Sequence, residues 1–271
     1  MPDEKVLQVA ILIWGCAFCA IAALCIFLSS NYDREKRRYL ILMESFASLL
    51  LLMDAMAHIF SGYPGVPGSV MVRISSFLVF LLSDVVLLCF HIYVCVYLFS
   101  KRERRTLKRV KAGYVIAAAE VAFVVISQFT HWHYYIDGDN CYHRAPLYIM
   151  SILLSAAGLL IDLTLLLQYK KRVSRKLLFS MLSCIVLPAV AAAVQAFWYG
   201  ISLIEFSVGI SMIIMFIVTM TELNQEMYQL ISREGKIKER LEIATILNKC
   251  IAELISGEDE DAAISNLLRI I

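Results

Sequence analysis

Charged residues are scarce in this chain. Asp, Glu, Lys and Arg make up 18% of its 271 residues, and 60% of the residues are hydrophobic. Soluble domains carry about 25% charged residues. Together with a mean hydropathy of +0.73, this scarcity excludes an ordinary soluble fold.

Motifs of the common catalytic and cofactor sites are also absent. The sequence contains no phosphate-binding glycine loop, no nucleophile elbow and no HExxH. Its last apolar run has no lysine, which excludes a retinal Schiff base there. Most of the eight cysteines lie inside apolar runs, so no disulfide framework is predicted. We therefore expect no catalytic centre, no bound cofactor and no nucleic-acid partner for these residues.

What the chain does have is seven apolar runs of about twenty residues, the length of a helix that spans a bilayer. Each run predicts one transmembrane helix, so the expected fold class is an all-α, polytopic seven-helix bundle. The runs are Val6–Ser29, Tyr39–Phe60, Ile74–Phe99, Gly113–Thr130, Leu147–Gln168, Leu177–Phe197 and Leu203–Thr221.

Basic residues are distributed asymmetrically between these runs. Three connections on one side, NYDREKRR, KRERRTLKRVK and KKRVSRK, hold sixteen Lys and Arg, whereas the other side holds three. Cytoplasmic loops carry an excess of Lys and Arg. The asymmetry predicts an N-out, C-in topology for an odd number of spans.

Beyond the seventh run, apolar residues recur with alternating spacings of three and four. Eight of ten core positions are apolar, and Glu234 and Asn248 occupy the other two. A heptad pattern of this length favours a parallel coiled-coil dimer, in which a core Asn fixes the register. The alternative is one amphipathic helix packed against its own domain. The apolar core positions are Leu223, Met227, Leu230, Ile237, Leu241, Ala244, Ile251 and Ile255.

The last residues predict the start of another helix. The segment SGEDED supplies an N-cap and an acidic first turn, and AAISNLLRII continues an amphipathic pattern up to Ile271. We therefore expect three parts: a transmembrane sensor domain over 1–221, a cytoplasmic coiled-coil linker over 222–256, and the first helix of a truncated cytoplasmic domain over 257–271.

Ionisable residues within the runs are the first candidates for a functional site, because a charge at the centre of a membrane helix costs about 3 kcal/mol. Residues four or seven apart lie on the same face of a helix. By this spacing, one Asp and one His share a face of the second helix, and another Asp and His share a face of the third. These faces predict a polar pocket or a proton-sensitive relay. The alternative is a set of hydrogen bonds that hold the helices together. The candidates are Asp54, His58, Asp84, His91, Glu120 and Asp162.

The outer loop HWHYYIDGDNCYHRAP is rich in aromatic and histidine residues. These side chains predict either a rim for a small ligand or the aromatic belt of a membrane interface. Its histidines, acids and Cys141 are potential metal ligands, but their spacing matches no zinc signature, so no metal site is predicted. The rim candidates are His131, Trp132, His133 and Tyr135, with Trp198 from the last outer turn.

The segments LILMESFASLLLLMDAMAHIFSGYPG and MVRISSFLVFLLSDVVLLCFHIYVCVYL resemble a known sensor region. It is the N-terminal seven-helix part of multidomain signalling proteins from clostridia-related bacteria, typically GGDEF diguanylate cyclases and sometimes histidine kinases. The tail LEIATILNKCIAELISGEDEDAAISNLLRII resembles the linker and opening helix of a GAF domain. No GGDEF sequence is present, so the resemblance assigns any cyclase activity to a missing C-terminal domain.

Given this resemblance, the leading hypothesis is a sensor in the bacterial cytoplasmic membrane. It would relay an extracellular or intramembrane stimulus, such as an unknown small ligand, through the dimeric coiled coil to an output domain. One alternative is a proton- or ion-coupled transporter that uses the intramembrane acids. Another is a seven-helix receptor that couples to a separate cytosolic partner.

Overall fold

A computed structural model describes residues 2–29, 33–197 and 202–256. It is 87% helical, and within these ranges seven helices are long and apolar enough to cross a membrane. The prediction of an all-α chain with seven such helices is therefore confirmed. The helices are α1 (Pro2–Leu28), α2 (Arg34–Phe60), α3 (Gly65–Leu98), the short α4 (Lys101–Thr106), α5 (Lys108–Thr130), α6 (Tyr148–Gln168), α7 (Arg175–Phe197) and α8 (Leu203–Ser256).

Several helices begin earlier than the apolar runs predict. Helix α3 starts at Gly65 rather than Ile74 and includes Pro67 in its first turn. A proline is tolerated there because the first amides of a helix have no partner within the helix. Helix α5 likewise begins in the basic segment at Lys108. Hydropathy marks the apolar part of a helix and misses the turns that precede it, and neither helix has a capping side chain to signal its start.

The loop between α5 and α6 contains a short hairpin that the sequence did not predict. Strand β1 (Tyr134–Ile136) pairs antiparallel with β2 (Tyr142–Arg144). In the turn, Asp137 accepts the Cys141 amide at 2.8 Å and pairs with His143 at 2.7 Å. The Cys141 amide, together with His143, lowers the pKa of the Asp137 carboxyl. We call residues 131–147 the hairpin loop.

The helices from Pro2 to Thr219 form one compact unit, and α8 from Met220 onward belongs to a second. In the first unit, α2 packs between α1 and α3, and α3 also contacts α5 and α6. A buried apolar cluster of Leu50, Val79 and Leu82 contacts Val208 of α8. Lipid competes for apolar surface, so such membrane bundles depend mainly on close packing.

Ion pairs connect the three basic connections at one end of the bundle, which we call the basic end. Arg104 contacts Glu35 at 2.8 Å, and Arg172 contacts Glu103 at 3.1 Å. The opposite end carries the hairpin loop, where the Gly62 amide donates to the Asn140 carbonyl at 3.2 Å. The sequence places these connections on one side, and the structure joins them by direct contacts.

Candidate functional site

A cavity of about 740 Å³ lies within the first unit. Its walls come from α3, α5, α6, α7 and α8, and His133 and Tyr148 contribute from the end that carries the hairpin loop. Small-molecule sites are typically concave, mostly apolar and roughly 300–1,000 Å³ in volume. The size and lining of this interhelical cavity therefore suit a small ligand.

Two acidic side chains lie in the largely apolar wall. Asp84 of α3 is 7% exposed and Glu205 of α8 is 8% exposed. One carboxylate oxygen of each is buried without a hydrogen-bond partner among the residues that the structure describes. A buried polar group without a partner is costly, so these two oxygens are candidate contacts for a ligand.

His133 covers the cavity at the end that carries the hairpin loop. Its ring is fully buried, 4.2 Å from the Phe80 ring centroid and stacked on Tyr148 at 5.2 Å. The His133 amide donates to the Ser127 hydroxyl at 2.8 Å, which fixes the backbone. Neither ring nitrogen has a partner within the described ranges. Burial lowers the pKa of His133 to about 4, so the imidazole is neutral at pH 7.

The cavity is open between α6 and α7. The lining residues Ile149 and Leu160 of α6, and Val186 and Val190 of α7, are themselves exposed on the lateral surface of the bundle. In a membrane this surface faces lipid tails. The cavity is therefore accessible from the side of the bundle.

The second-helix candidates Asp54 and His58 lie together in a separate polar cluster. Their side chains are 3.6 Å apart, and His58 Nε2 also lies 2.8 Å from Ser202 Oγ and 2.9 Å from Gln8 Nε2. The cluster thus joins α1 and α2 to the residue that precedes α8. Glu205, one turn further along α8, interacts electrostatically with Asp54.

Asp84 and His91 share a face of α3, but the structure gives them different partners. His91 Nδ1 lies 2.6 Å from Asp162 Oδ1 on α6, and Nε2 donates to the Val110 carbonyl of α5 at 3.1 Å. Asp84 and His91 therefore do not line one common pocket. Asp84 lines the interhelical cavity, and His91 connects three helices.

Glu120 lies between these two groups. It interacts electrostatically with Asp84 and hydrogen-bonds to Ser155. A small second cavity of about 20 Å³ is lined by Glu120, Ser155, His91 and Asp162. That volume has room for one water molecule, which needs polar partners of this kind.

The predicted rim residues do not form one surface. His131 caps α5 with a left-handed backbone (φ 55°) and is exposed, as are Trp132 and Tyr135. His133 is buried instead, because it packs among Phe80, Tyr134 and Tyr148. Trp198 lies outside the described residues.

The hairpin loop does not assemble a metal site in the described part of the chain. No three His, Cys, Asp or Glu side chains there are close enough to hold an ion. His143 pairs with Asp137, whereas His133 turns away into the aromatic contacts. The seven described cysteines, all except Cys250, are free thiols.

Sequence reasoning left Glu205 and Glu44 out of the candidate set. Glu205 is in the first turn of α8, and Glu44 is fully buried beside the Cys19 thiol. Both are acids inside apolar runs, so the rule that selected Asp84 was sufficient to find them. The proximity of Ser202 and Gln8 to His58 had no comparable signal.

The comparisons with known proteins add no further assignment. No protein-family model matches the chain, and neither curated proteins nor solved structures gave a match.

Proposed function

We propose that this protein is a dimeric membrane sensor in which a stimulus at the bundle is relayed along α8 to a C-terminal output domain. The proposal rests on one observation: the helix α8 both lines the interhelical cavity and continues into the heptad segment. The helix contributes Glu205, Val208, Ser211 and Met212 to the interhelical cavity, and it extends from Leu203 to Ser256. An occupant of the cavity therefore contacts the same helix that bears the heptad pattern.

Exposure of the heptad positions supports the dimer. Leu230, Ile237 and Leu241 are 64%, 66% and 67% exposed, and every described side chain from Tyr228 to Lys249 is exposed. A stripe of exposed apolar side chains in water marks an interaction surface. A second copy of α8 in parallel register would cover this stripe.

Charge distribution supports the orientation that we propose. The basic end carries the three Lys- and Arg-rich connections, and the opposite end carries the hairpin loop. By the positive-inside rule, we propose that the basic end and the heptad segment of α8 face the cytoplasm. Resemblance to signalling proteins favours a diguanylate cyclase as output, after a GAF-like domain that starts in residues 257–271. Those residues lie outside the described ranges.

Single cysteines at core heptad positions test the dimer. In a chain with Cys25 and Cys250 replaced by serine, Met227→Cys and Leu241→Cys are expected to form interchain disulfides in membranes under mild oxidation. Core positions of a parallel dimer bring identical residues together. The measurement is the dimer fraction on a non-reducing gel.

The matched control is Glu239→Cys, which the heptad register places on the far side of the helix. It is expected to crosslink weakly under the same conditions. If both core variants stay monomeric, or if Glu239→Cys crosslinks equally well, the parallel coiled coil is rejected, and with it the relay.

A second candidate function, proton-coupled transport, is favoured by one specific observation. A series of ionisable side chains runs through the bundle from Asp84 to Glu120 and on to the His91–Asp162 pair. Glu120, His91 and Asp162 also line the water-sized cavity. Proton transfer along acids and histidines is a common use of intramembrane ionisable groups.

Proton flux into proteoliposomes separates this candidate from the sensor. A transporter predicts pH-gradient-driven flux that is lost in Asp84→Asn and kept in Glu44→Gln, a buried acid that lines neither cavity. The sensor predicts that the wild-type protein gives no flux above that of empty liposomes.

A further inference from the structure

We propose that the interhelical cavity binds an amphiphilic organic cation, with a protonated amine at the carboxylates of Asp84 and Glu205 and an apolar body between α6 and α7. The inference rests on the proposed sensor role for its biological meaning, because it names the class of stimulus. The binding itself is measured without any output domain.

Charge is the first argument. Six acidic side chains are buried among the described helices of the first unit: Glu44, Asp54, Asp84, Glu120, Asp162 and Glu205. No Lys or Arg is among the buried side chains in the described ranges. Asp84 and Glu205 are the two acids that line the interhelical cavity, and each has an oxygen without a described partner. A protonated amine supplies hydrogen-bond donors for these oxygens, and no Lys or Arg of the described chain lines the cavity to compete with it.

The remaining lining of the cavity favours a ligand that is apolar apart from its amine. The cavity is lined largely by aliphatic and aromatic side chains, and it opens where Leu160 and Val190 are exposed to the lateral surface. A molecule that partitions into a bilayer and carries one polar end fits this arrangement. A small hydrophilic cation would leave most of the apolar wall without contacts.

Neutral His133 agrees with a cationic ligand. Its buried imidazole covers one end of the cavity, and burial keeps the ring uncharged at pH 7. An uncharged ring does not repel an amine, and its free nitrogens can accept or donate hydrogen bonds.

The test is photolabelling of the whole chain in phosphatidylcholine nanodiscs with a diazirine-bearing dodecylamine. The expected result is saturable labelling of α6 and α7 peptides, mapped by mass spectrometry and competed by unlabelled dodecylamine. The double variant Asp84→Asn with Glu205→Gln is expected to weaken labelling about tenfold or more, because it removes both carboxyl groups that can pair with a desolvated amine.

Two controls separate recognition from partition into lipid. The same diazirine on dodecanol is expected to label without saturation, and Glu44→Gln is expected to bind the amine as the wild type does. Thermal unfolding, followed with a thiol-reactive dye on the buried cysteines, verifies that each variant folds.

Equal saturable labelling by amine and alcohol, or unchanged amine labelling in the double variant, would overturn the assignment of an amine ligand. Absence of any saturable labelling would overturn the site. In either case, a retained disulfide at Met227→Cys and Leu241→Cys would leave the dimeric relay standing, so the two proposals fail separately.

Discussion

A methyl group added at Gly113 is expected to lower the free energy of unfolding by about 2–4 kcal/mol. A Cβ at this position of α5 would overlap the His91 ring. The ring cannot move freely, because Asp162 holds Nδ1 and the Val110 carbonyl holds Nε2. Displacing His91 breaks hydrogen bonds for which the membrane interior offers no water in exchange. Gly113→Ala therefore tests how strongly the polar contact joins α3, α5 and α6.

Thermal unfolding followed with a thiol-reactive dye measures this effect, because Cys89 and Cys95 are buried and free. The matched control is Gly158→Ala on α6, where the nearest heavy atom to an added Cβ is Ile116 Cγ2 at 3.8 Å. That variant is expected to unfold like the wild type. In a His91→Ala background, Gly113→Ala should cost little; an equal cost there would contradict the explanation.

Acidification is expected to release the hairpin loop from the bundle. His133 has an ordinary pKa of 6.5 and a pKa of about 4 when its ring is buried. Because burial lowers this pKa, the docked loop binds the proton less readily than the undocked loop does, and its stability is complete only above pH 6.5. That stability is lost as the pH falls from 6.5 toward 4, by up to about 1.4 kcal/mol per pH unit.

Hydrogen exchange of the loop amides measures this docking. The Ala145 amide, which donates to the His133 carbonyl at 3.0 Å, is a suitable reporter. After correction for intrinsic rates, protection in the wild type should fall between pH 7 and pH 5. His133→Phe keeps the ring contacts but cannot take up the proton, so its protection should stay constant. The same fall in both proteins would assign the effect to another group.

The loop has a second consequence for the proposed sensor. His133 of the loop lines the interhelical cavity and stacks on Tyr148 of α6. Undocking the loop would therefore uncover the cavity at that end. We expect amine labelling at pH 5 to lose saturability in the wild type and to keep it in His133→Phe.

Some site features followed from the sequence because they depend on spacing along one helix. Asp54 and His58 are four residues apart, so their 3.6 Å approach on α2 is a property of helical geometry. Asp84 and His91 also share a face, yet they line different cavities. Periodicity predicts which way a side chain points but not which helix it meets.

By itself, the sequence determined the class of the protein and its seven apolar helices, because a long apolar run in lipid has to satisfy its backbone as a helix. It also determined the asymmetric basic connections and the heptad stripe beyond Thr221. Only the tertiary structure decided that His91 meets Asp162, and that Asp84 and Glu205 share a cavity with His133. These contacts depend on the rotation and depth at which neighbouring helices pack, and close packing between side chains distant in sequence sets both.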